Sequence, residues 1–194
     1  YYHICGGVYK STIRCKSCKR NSTRFEHFTT LQLEMTRGSR HTLHTLVQSH
    51  CEPEPCDGDT ECPNVECSAK GTHSKQVEIA KWPRILVIHL KRWTFNRAKL
   101  TRDKIDDFVD FEEIYKVSED IVYTLRSIVV HSGEVNAGHY VAYVRDGHHG
   151  WLLYDDSPPK TKKVASSTVR KQCPYMLFYE RNWWSKSFNV CCWT

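Results

Sequence analysis

Alternation of apolar and polar residues is the clearest pattern along this chain, and it predicts β-strands. Residues 29–35 alternate, with Leu31 and Leu33 on one face and polar residues on the other, which is typical of a half-buried strand. Ile85–Leu90 is apolar on both faces, as in a buried central strand, and Pro83 marks its start. Further strands are predicted at residues 121–131, 139–145, 151–155 and 175–180.

Helical patterns are short and few. Apolar residues at helical spacing predict a helix within residues 39–50. Ser166 and Ser167 offer an N-cap for a second short helix over residues 167–172. Together with the strands, these patterns predict an α+β fold that is predominantly antiparallel β-sheet.

Composition narrows the class of protein. The 194 residues suit one domain, or one domain with an appendage. No run of about 18 apolar residues occurs, so we expect no membrane-spanning helix and no membrane partner. The net charge is +6, but the basic residues are scattered among acidic ones. Nucleic-acid binding requires a basic patch with a reading element, and the sequence shows none, so we expect no nucleic-acid partner.

Cysteine spacing points to a metal site. Cys15 and Cys18 have the two-residue separation of a zinc knuckle, and Cys62 and Cys67 lie in a Cys-rich loop over residues 51–74. Such a loop is too long to be an idle connection. Two thiolate pairs on two hairpin tips can close a tetrahedral zinc site. The competing interpretation is that these thiols are buried or linked in disulfides.

The second half of that metal site is open on spacing alone, because Cys51 and Cys56 are also separated by four residues. The pairing pattern of the ten cysteines favours metal over disulfides and suggests a reducing compartment. We therefore expect an intracellular protein of the cytoplasm or nucleus.

A histidine and a pair of aspartates form the second candidate site. His139 opens one predicted strand, and Asp155 and Asp156 end the next. Neighbouring strands can bring an imidazole and a carboxylate into hydrogen-bond reach, which is the His/Asp half of a nucleophilic triad. Gly133 and Gly138 bracket the loop before His139, where small residues allow a substrate chain to approach the backbone. The competing interpretation is that His139 is an ordinary polar residue beside a strand, with its hydrogen bonds satisfied. Asp155 and Asp156 would then simply end a strand in a turn.

Five segments in this order resemble the ubiquitin-specific protease family of cysteine deubiquitinases. The resemblance runs from about Cys5 to Arg181. Each segment alone is weak evidence for the resemblance, whereas all five in this order are specific to the family. The segments are Ser11–Cys18, Trp82–Trp93, Gly138–Tyr143, Trp151–Asp156 and Tyr175–Arg181.

The resemblance implies a papain-like cysteine protease fold shaped as a hand of thumb, palm and fingers. Residues 1–181 would form a partial catalytic domain, with fingers and a zinc ribbon over about residues 8–80 and a palm over about 81–181. The thumb would be missing. Residues 182–194 continue past the usual end of the family as a tail without an assigned role.

The resemblance also implies roles for residues of this chain. His139 would be the general base, Asp155 would orient it, and Asp156 would be a supporting polar group. Gly138 and Tyr140 would contact substrate, although Tyr140 also suits a core position. The implied reaction hydrolyses the bond after the C-terminal glycine of ubiquitin, with ubiquitin and ubiquitinated proteins as partners. A structural Zn²⁺ would be bound by Cys15, Cys18, Cys62 and Cys67.

The chain departs from the family at its nucleophile. The Asn-x-x-Asn-Thr-Cys type segment of the thumb is absent, and Cys5 has no such context. The four-residue gap between Cys62 and Cys67 also exceeds the usual two. Since the chain opens without Met, we expect it to be cut from a longer polypeptide that carries the nucleophile, and we expect these residues alone to be inactive. The alternatives are a ubiquitin-binding pseudo-protease and a zinc-ribbon adaptor for nucleic acid.

Overall fold

The structure of this chain is a computed structural model that describes six stretches of residues. They are residues 2–56, 61–62, 64–96, 100–134, 137–158 and 160–182. The tail predicted over 182–194 therefore lies, from residue 183 onward, outside the described residues. Across these six stretches, no helix is both long and apolar enough to cross a membrane.

Strands dominate the described residues, and the helices are short. The helices are α1 (Tyr2–Cys5), α2 (Leu43–His50) and α3 (Ser166–Arg170). The strands are β1 (Gly7–Cys15), β2 (Asn21–Phe28), β3 (Leu31–Glu34), β4 (His41–Thr42), β5 (Glu54–Pro55), β6 (His73–Lys81), β7 (Ile85–Lys91), β8 (Trp93–Asn96), β9 (Thr101–Lys104), β10 (Val109–Asp110), β11 (Ile114–Lys116), β12 (Val122–Glu134), β13 (Ala137–Asp146), β14 (Gly150–Tyr154), β15 (Thr161–Val164) and β16 (Pro174–Arg181).

Two larger sheets organise these strands. The first has four strands in the order β2-β1-β6-β5, and the second has eight, in the order β15-β14-β13-β12-β16-β7-β3 with β11 beside β12. Neighbouring strands are antiparallel except β3 with β7 in the larger sheet and β4 with β10 in a small separate pair. This pairing confirms the predicted, predominantly antiparallel α+β architecture.

The larger sheet carries the hydrophobic core. Leu31 and Leu33 of β3 are fully buried while the residues between and after them are exposed, so the predicted half-buried strand is confirmed. Strand β7 lies between β16 and β3 and is buried along most of its length. Helix α2 packs against β3 with its apolar stripe buried, and Thr42 caps it by accepting from the backbone N–H of Thr45.

The end of the chain corrects one prediction. Helix α3 begins at Ser166, and Ala165, not Ser166 or Ser167, is its N-cap, without a side-chain hydrogen bond. The Ser166 hydroxyl bonds instead to the carboxylate of Glu113, which also accepts from Arg145 at 3.2 Å. The Ser166 hydroxyl, which the sequence predicted as a helix cap, thus bonds Glu113, a residue 53 positions away in sequence.

A buried arginine ties the larger sheet together. Arg92 follows β7, and its side chain is almost fully buried. Its Nε donates to the carbonyl of Pro174 at 2.7 Å, at the start of β16. Its Nη1 donates to the carbonyls of Ile105 and Asp107 at 2.8 and 2.9 Å. One guanidinium therefore fixes the beginning of a central strand and the segment that follows β9.

We expect Arg92→Met to lower the free energy of unfolding by on the order of 3 kcal/mol, because two buried carbonyls and one partly buried carbonyl lose their donor. Arg170→Met is the matched control: the Arg170–Asp110 pair is exposed, so its loss should cost less than about 1 kcal/mol. Equilibrium urea denaturation measures both values. Equal losses in the two variants would contradict the assigned role of Arg92.

Candidate functional site

Two neighbouring strands bring His139 and Asp155 together. Strands β13 and β14 are antiparallel, and Ala142 lies opposite Tyr154, the last residue of β14. The chain therefore leaves β14 beside the beginning of β13. There Nε2 of His139 lies 2.8 Å from Oδ1 of Asp155. Within the described residues, Asp155 is the side chain that bonds the His139 ring.

The turn after β14 holds Asp155 in its charged form. The backbone N–H of Ser157 donates to Asp155 Oδ1 at 2.8 Å, and the backbone N–H of Asp155 donates to the carbonyl of Lys160 at 3.0 Å. The Ser157 N–H, followed by the His139 ring, lowers the pKa of the Asp155 carboxyl below its usual 3.8. An ionised carboxylate therefore faces the imidazole at neutral pH.

This arrangement leaves the second ring nitrogen of His139 available for chemistry. The His139 side chain is 45% exposed and that of Asp155 is 26% exposed. With one ring nitrogen bonded to the carboxylate, the other can accept a proton from a nucleophile. Asp156 lies exposed in the turn, one residue beyond the aspartate that meets His139.

A buried histidine that sequence reasoning missed explains Gly138. His131 lies opposite Tyr140 in the register of β12 and β13, and its ring packs against Tyr140 and Trp93 at centroid distances of 4.6 and 5.7 Å. A Cβ on residue 138 would lie 1.9 Å from His131 Nε2. The ring therefore occupies the space of a side chain at position 138, directly before His139.

The same packing sets the exposure of Tyr140. Its ring contacts His131 and Tyr175, with centroids 4.6 and 6.0 Å away, while half of the residue stays open to solvent. Burial, followed by the Lys104 ammonium, lowers the pKa of His131, so its ring is neutral at neutral pH. Gly138 and Tyr140, the predicted substrate contacts, thus pack against uncharged rings, with His131 beside both residues and Tyr175 beside Tyr140.

Four cysteines converge at one end of the four-stranded sheet. Cys15 ends β1, Cys18 lies in the turn before β2, and the long loop before β6 supplies Cys62 and Cys67. All four sulfurs lie within 4.8 Å of one another. The sequence left open whether Cys62 and Cys67 or Cys51 and Cys56 complete the cluster. The structure brings in Cys62 and Cys67, whereas Cys51 is the C-cap of α2 and Cys56 follows β5.

The sulfur geometry fits a tetrahedral metal. With Zn–S bonds of about 2.3 Å, neighbouring sulfurs of a tetrahedron lie about 3.8 Å apart. The Cys15–Cys67 and Cys18–Cys62 sulfur distances are 3.9 and 3.7 Å. A set of four thiols is also the donor chemistry that structural zinc sites use.

The pKa values of the Cys15 and Cys62 thiols differ. The backbone N–H of Cys18 is the main cause that lowers the pKa of Cys15 to about 6. The backbone N–H of Asn64 favours the Cys62 thiolate, but burial and the neighbouring sulfurs outweigh it and raise the pKa of Cys62 to about 12. The cluster therefore loses a first proton readily and its last with difficulty, and a cation at its centre would remove that difficulty.

Comparisons with known proteins agree on one family. The family model for ubiquitin carboxyl-terminal hydrolase matches residues 1–179. The chain is 32% identical over 185 residues to ubiquitin carboxyl-terminal hydrolase 2 of Gallus gallus, covering 90% of this chain and 51% of that protein. It is 29% identical over 197 residues to ubiquitin carboxyl-terminal hydrolase 23 of Arabidopsis thaliana, covering 93% of this chain and 21% of that protein. The chain thus spans about half or less of the length of these relatives.

A solved structure shares the fold. The chain matches one in the SAGA Ubp8/Sgf11/Sus1/Sgf73 DUB module bound to ubiquitin aldehyde, with a TM-score of 0.80 and 28% identity. The match covers 93% of this chain and 42% of that chain. The likeness confirms the fold class predicted from the sequence, whereas the predicted absence of a thumb stays a prediction.

We expect Gly138→Ala to destabilise the chain by about 1–3 kcal/mol, because the new methyl group overlaps the His131 ring, which Trp93 and Tyr140 confine. Gly147→Ala is the control, since a Cβ there meets nothing within 4 Å. Thermal unfolding measures both, and NMR of the His139 ring shows whether its contact with Asp155 is lost. A neutral Gly138→Ala would mean that His131 moves aside freely.

Proposed function

This chain belongs to the ubiquitin carboxyl-terminal hydrolase family, and we propose that it supplies the general-base half of a cysteine-type deubiquitinase. The reaction would hydrolyse the peptide or isopeptide bond after the C-terminal glycine of ubiquitin. The observation that carries the proposal is the 2.8 Å contact between the His139 ring and the Asp155 carboxylate. The partners would be ubiquitin and ubiquitinated proteins, in the cytoplasm or nucleus.

Each residue has a defined task in this proposal. The Asp155 carboxylate fixes the ring orientation and stabilises the imidazolium. His139 takes the proton of a cysteine thiol, which attacks the carbonyl carbon, and then gives that proton to the departing amine. A water then releases the ubiquitin carboxylate, with His139 again as the base. Asp156 would support this pair from the solvent side of the turn.

The nucleophile would come from polypeptide outside these 194 residues. The Asn-Thr-Cys type segment of the family does not occur in them, and the relatives are longer than this chain. Cys5 is buried in α1 and sits in an unrelated sequence context. These residues alone would then bind ubiquitin without cleaving it.

The two large sheets suggest how the parts of the hand are arranged. The four-stranded sheet would form the fingers and the eight-stranded sheet the palm. Residues 31–50 carry β3 and α2, which belong with the larger sheet. The proposed fingers, predicted over about residues 8–80, would therefore consist of two segments, residues 7–28 and 54–81.

A zinc ion would hold the far end of the fingers. Four thiolates from the β1–β2 turn and the loop before β6 would bind it, as the sulfur spacing supports. The metal–sulfur bonds would cross-link two segments of the chain that are about 50 residues apart in sequence. Its role would be structural, since four sulfurs leave no open coordination position.

We expect His139→Ala and Asp155→Ala each to lower kcat/KM by a factor of about 1,000 or more in a protein that joins this chain to the nucleophile segment of its parent. Asp156→Ala should cost much less, because Asp156 does not meet the ring. A fluorogenic substrate on the C-terminus of ubiquitin measures all three.

Several outcomes of that assay would contradict the proposal. A larger loss in Asp156→Ala than in Asp155→Ala would move the orienting role to Asp156. Ubiquitin binding without cleavage in the joined protein would favour a pseudo-protease. Turnover by the 194 residues alone that survives Cys5→Ala and is abolished by alkylation would mean that another cysteine of this chain is the nucleophile.

We expect one zinc per chain, and we expect Cys15→Ser/Cys18→Ser to remove it, because two of four ligands are lost. Cys51→Ser/Cys56→Ser is the matched control and should keep the metal, since neither sulfur joins the cluster. Elemental analysis after dialysis measures the content. Zinc in the first double variant, or none in the native chain, would contradict the assigned site.

A further inference from the structure

A buried histidine stands beside the cysteine cluster. His73 is the first residue of β6 and lies directly opposite Cys15, the last residue of β1. Side chains of directly opposed residues in an antiparallel pair project from the same face of the sheet. Both residues are only 2% exposed. The imidazole of His73 therefore shares a closed environment with the thiol of Cys15.

The His73 ring has no hydrogen-bond partner among the described residues. Neither Nδ1 nor Nε2 is bonded, although both atoms are shielded from solvent. Buried polar atoms without a partner are uncommon, because the folded chain gives up their bonds to water and receives nothing in exchange. An imidazole always carries at least one N–H, so an acceptor for this ring is the missing element.

The space next to the ring leads to the cluster. A cavity of about 270 Å³ is lined by His73 together with Cys15, Cys62 and Asn64. The His73 ring and two of the cluster's cysteines therefore border the same cavity, which offers the ring space beside the sulfurs.

Metal loading would create the acceptor. Four thiolates around one divalent cation leave the centre with net negative charge, and N–H donors to sulfur stabilise such centres. Backbone N–H groups already serve three of the sulfurs: those of Cys18 and Ser17 donate to Cys15, that of Arg20 to Cys18 and that of Asn64 to Cys62. A side-chain donor at Cys15 would add to these backbone donors from the opposite strand.

We propose that His73 is a positioning residue of the metal centre, whose ring N–H donates to the Cys15 thiolate when zinc is bound. The inference rests on the proposed zinc site and goes beyond it, because it assigns a group outside the four ligands. It gives the buried ring its missing acceptor and links the beginning of β6 to the cluster. His73 is not itself a ligand, since four sulfurs complete the tetrahedron.

The test compares two substitutions of His73 in the whole 194-residue chain. His73→Phe keeps the ring volume and removes the N–H, so zinc affinity should fall about 10–100-fold. His73→Gln keeps a donor and should retain most of the affinity. His50→Phe is the control, because His50 also has an unpartnered Nε2 but sits at the end of α2. Competition with a chromophoric chelator measures zinc affinity, and circular dichroism checks the fold.

Cobalt loading adds a readout that general destabilisation would not move. An N–H donor lowers the energy of the sulfur lone pairs, so its loss should shift the sulfur-to-cobalt charge-transfer band to lower energy. The shift should appear in His73→Phe and be absent in His50→Phe and small in His73→Gln. Should His73→Phe fail to fold, the band and affinity of His73→Gln against His73→Ala decide the same question.

The outcomes separate this inference from the zinc proposal. A native chain without zinc overturns both. Zinc bound with equal affinity and an unchanged cobalt band in His73→Phe overturns the role of His73 alone. A native cobalt spectrum that shows a nitrogen ligand lost in His73→Phe would make His73 a ligand and also overturn the positioning role.

Discussion

The register of strands β12, β13 and β14 is the constraint on which the candidate catalytic site depends. It places the start of β13 beside the end of β14, so His139 and Asp155 meet, and it sets His131 opposite Tyr140. Because side chains alternate between the faces of a sheet, a slip of one residue would turn His139 away from Asp155. The buried apolar residues of β12 secure the register, since a slip would expose them.

Patterns in the sequence predicted most of the strands of the large sheet and both candidate sites, but they did not predict contacts between distant residues. Alternation located β3, and helical spacing located α2, because both depend on which face meets the core. The pairing of His139 with Asp155 came from a family resemblance and the order of two strands. The choice between Asp155 and Asp156 depends on a turn, where the alternation of faces ends, so pattern alone does not decide it.

Other features could not be anticipated for the same physical reason. The steric need for Gly138 comes from a ring on the neighbouring strand, and the Ser166 hydroxyl, predicted to cap α3, bonds Glu113 instead. The hairpin of β8 and β9 has few buried positions, so it leaves a weak hydrophobic pattern. Close packing and side-chain hydrogen bonds act across tens of residues, and their geometry exists only once the chain has folded.

The order of strands in the larger sheet has a consequence for how this chain is made. Strand β7 lies between β3, which precedes it in sequence, and β16, which is the last strand of the sheet in sequence. On a ribosome, β7 emerges long before β16 and carries an apolar surface with one unpaired edge in the meantime. Such an edge invites pairing with other chains, and contacts between distant strands form slowly. The sheet therefore gives this protein a period of vulnerability during synthesis, in which chaperone binding to β7 would favour correct folding over aggregation.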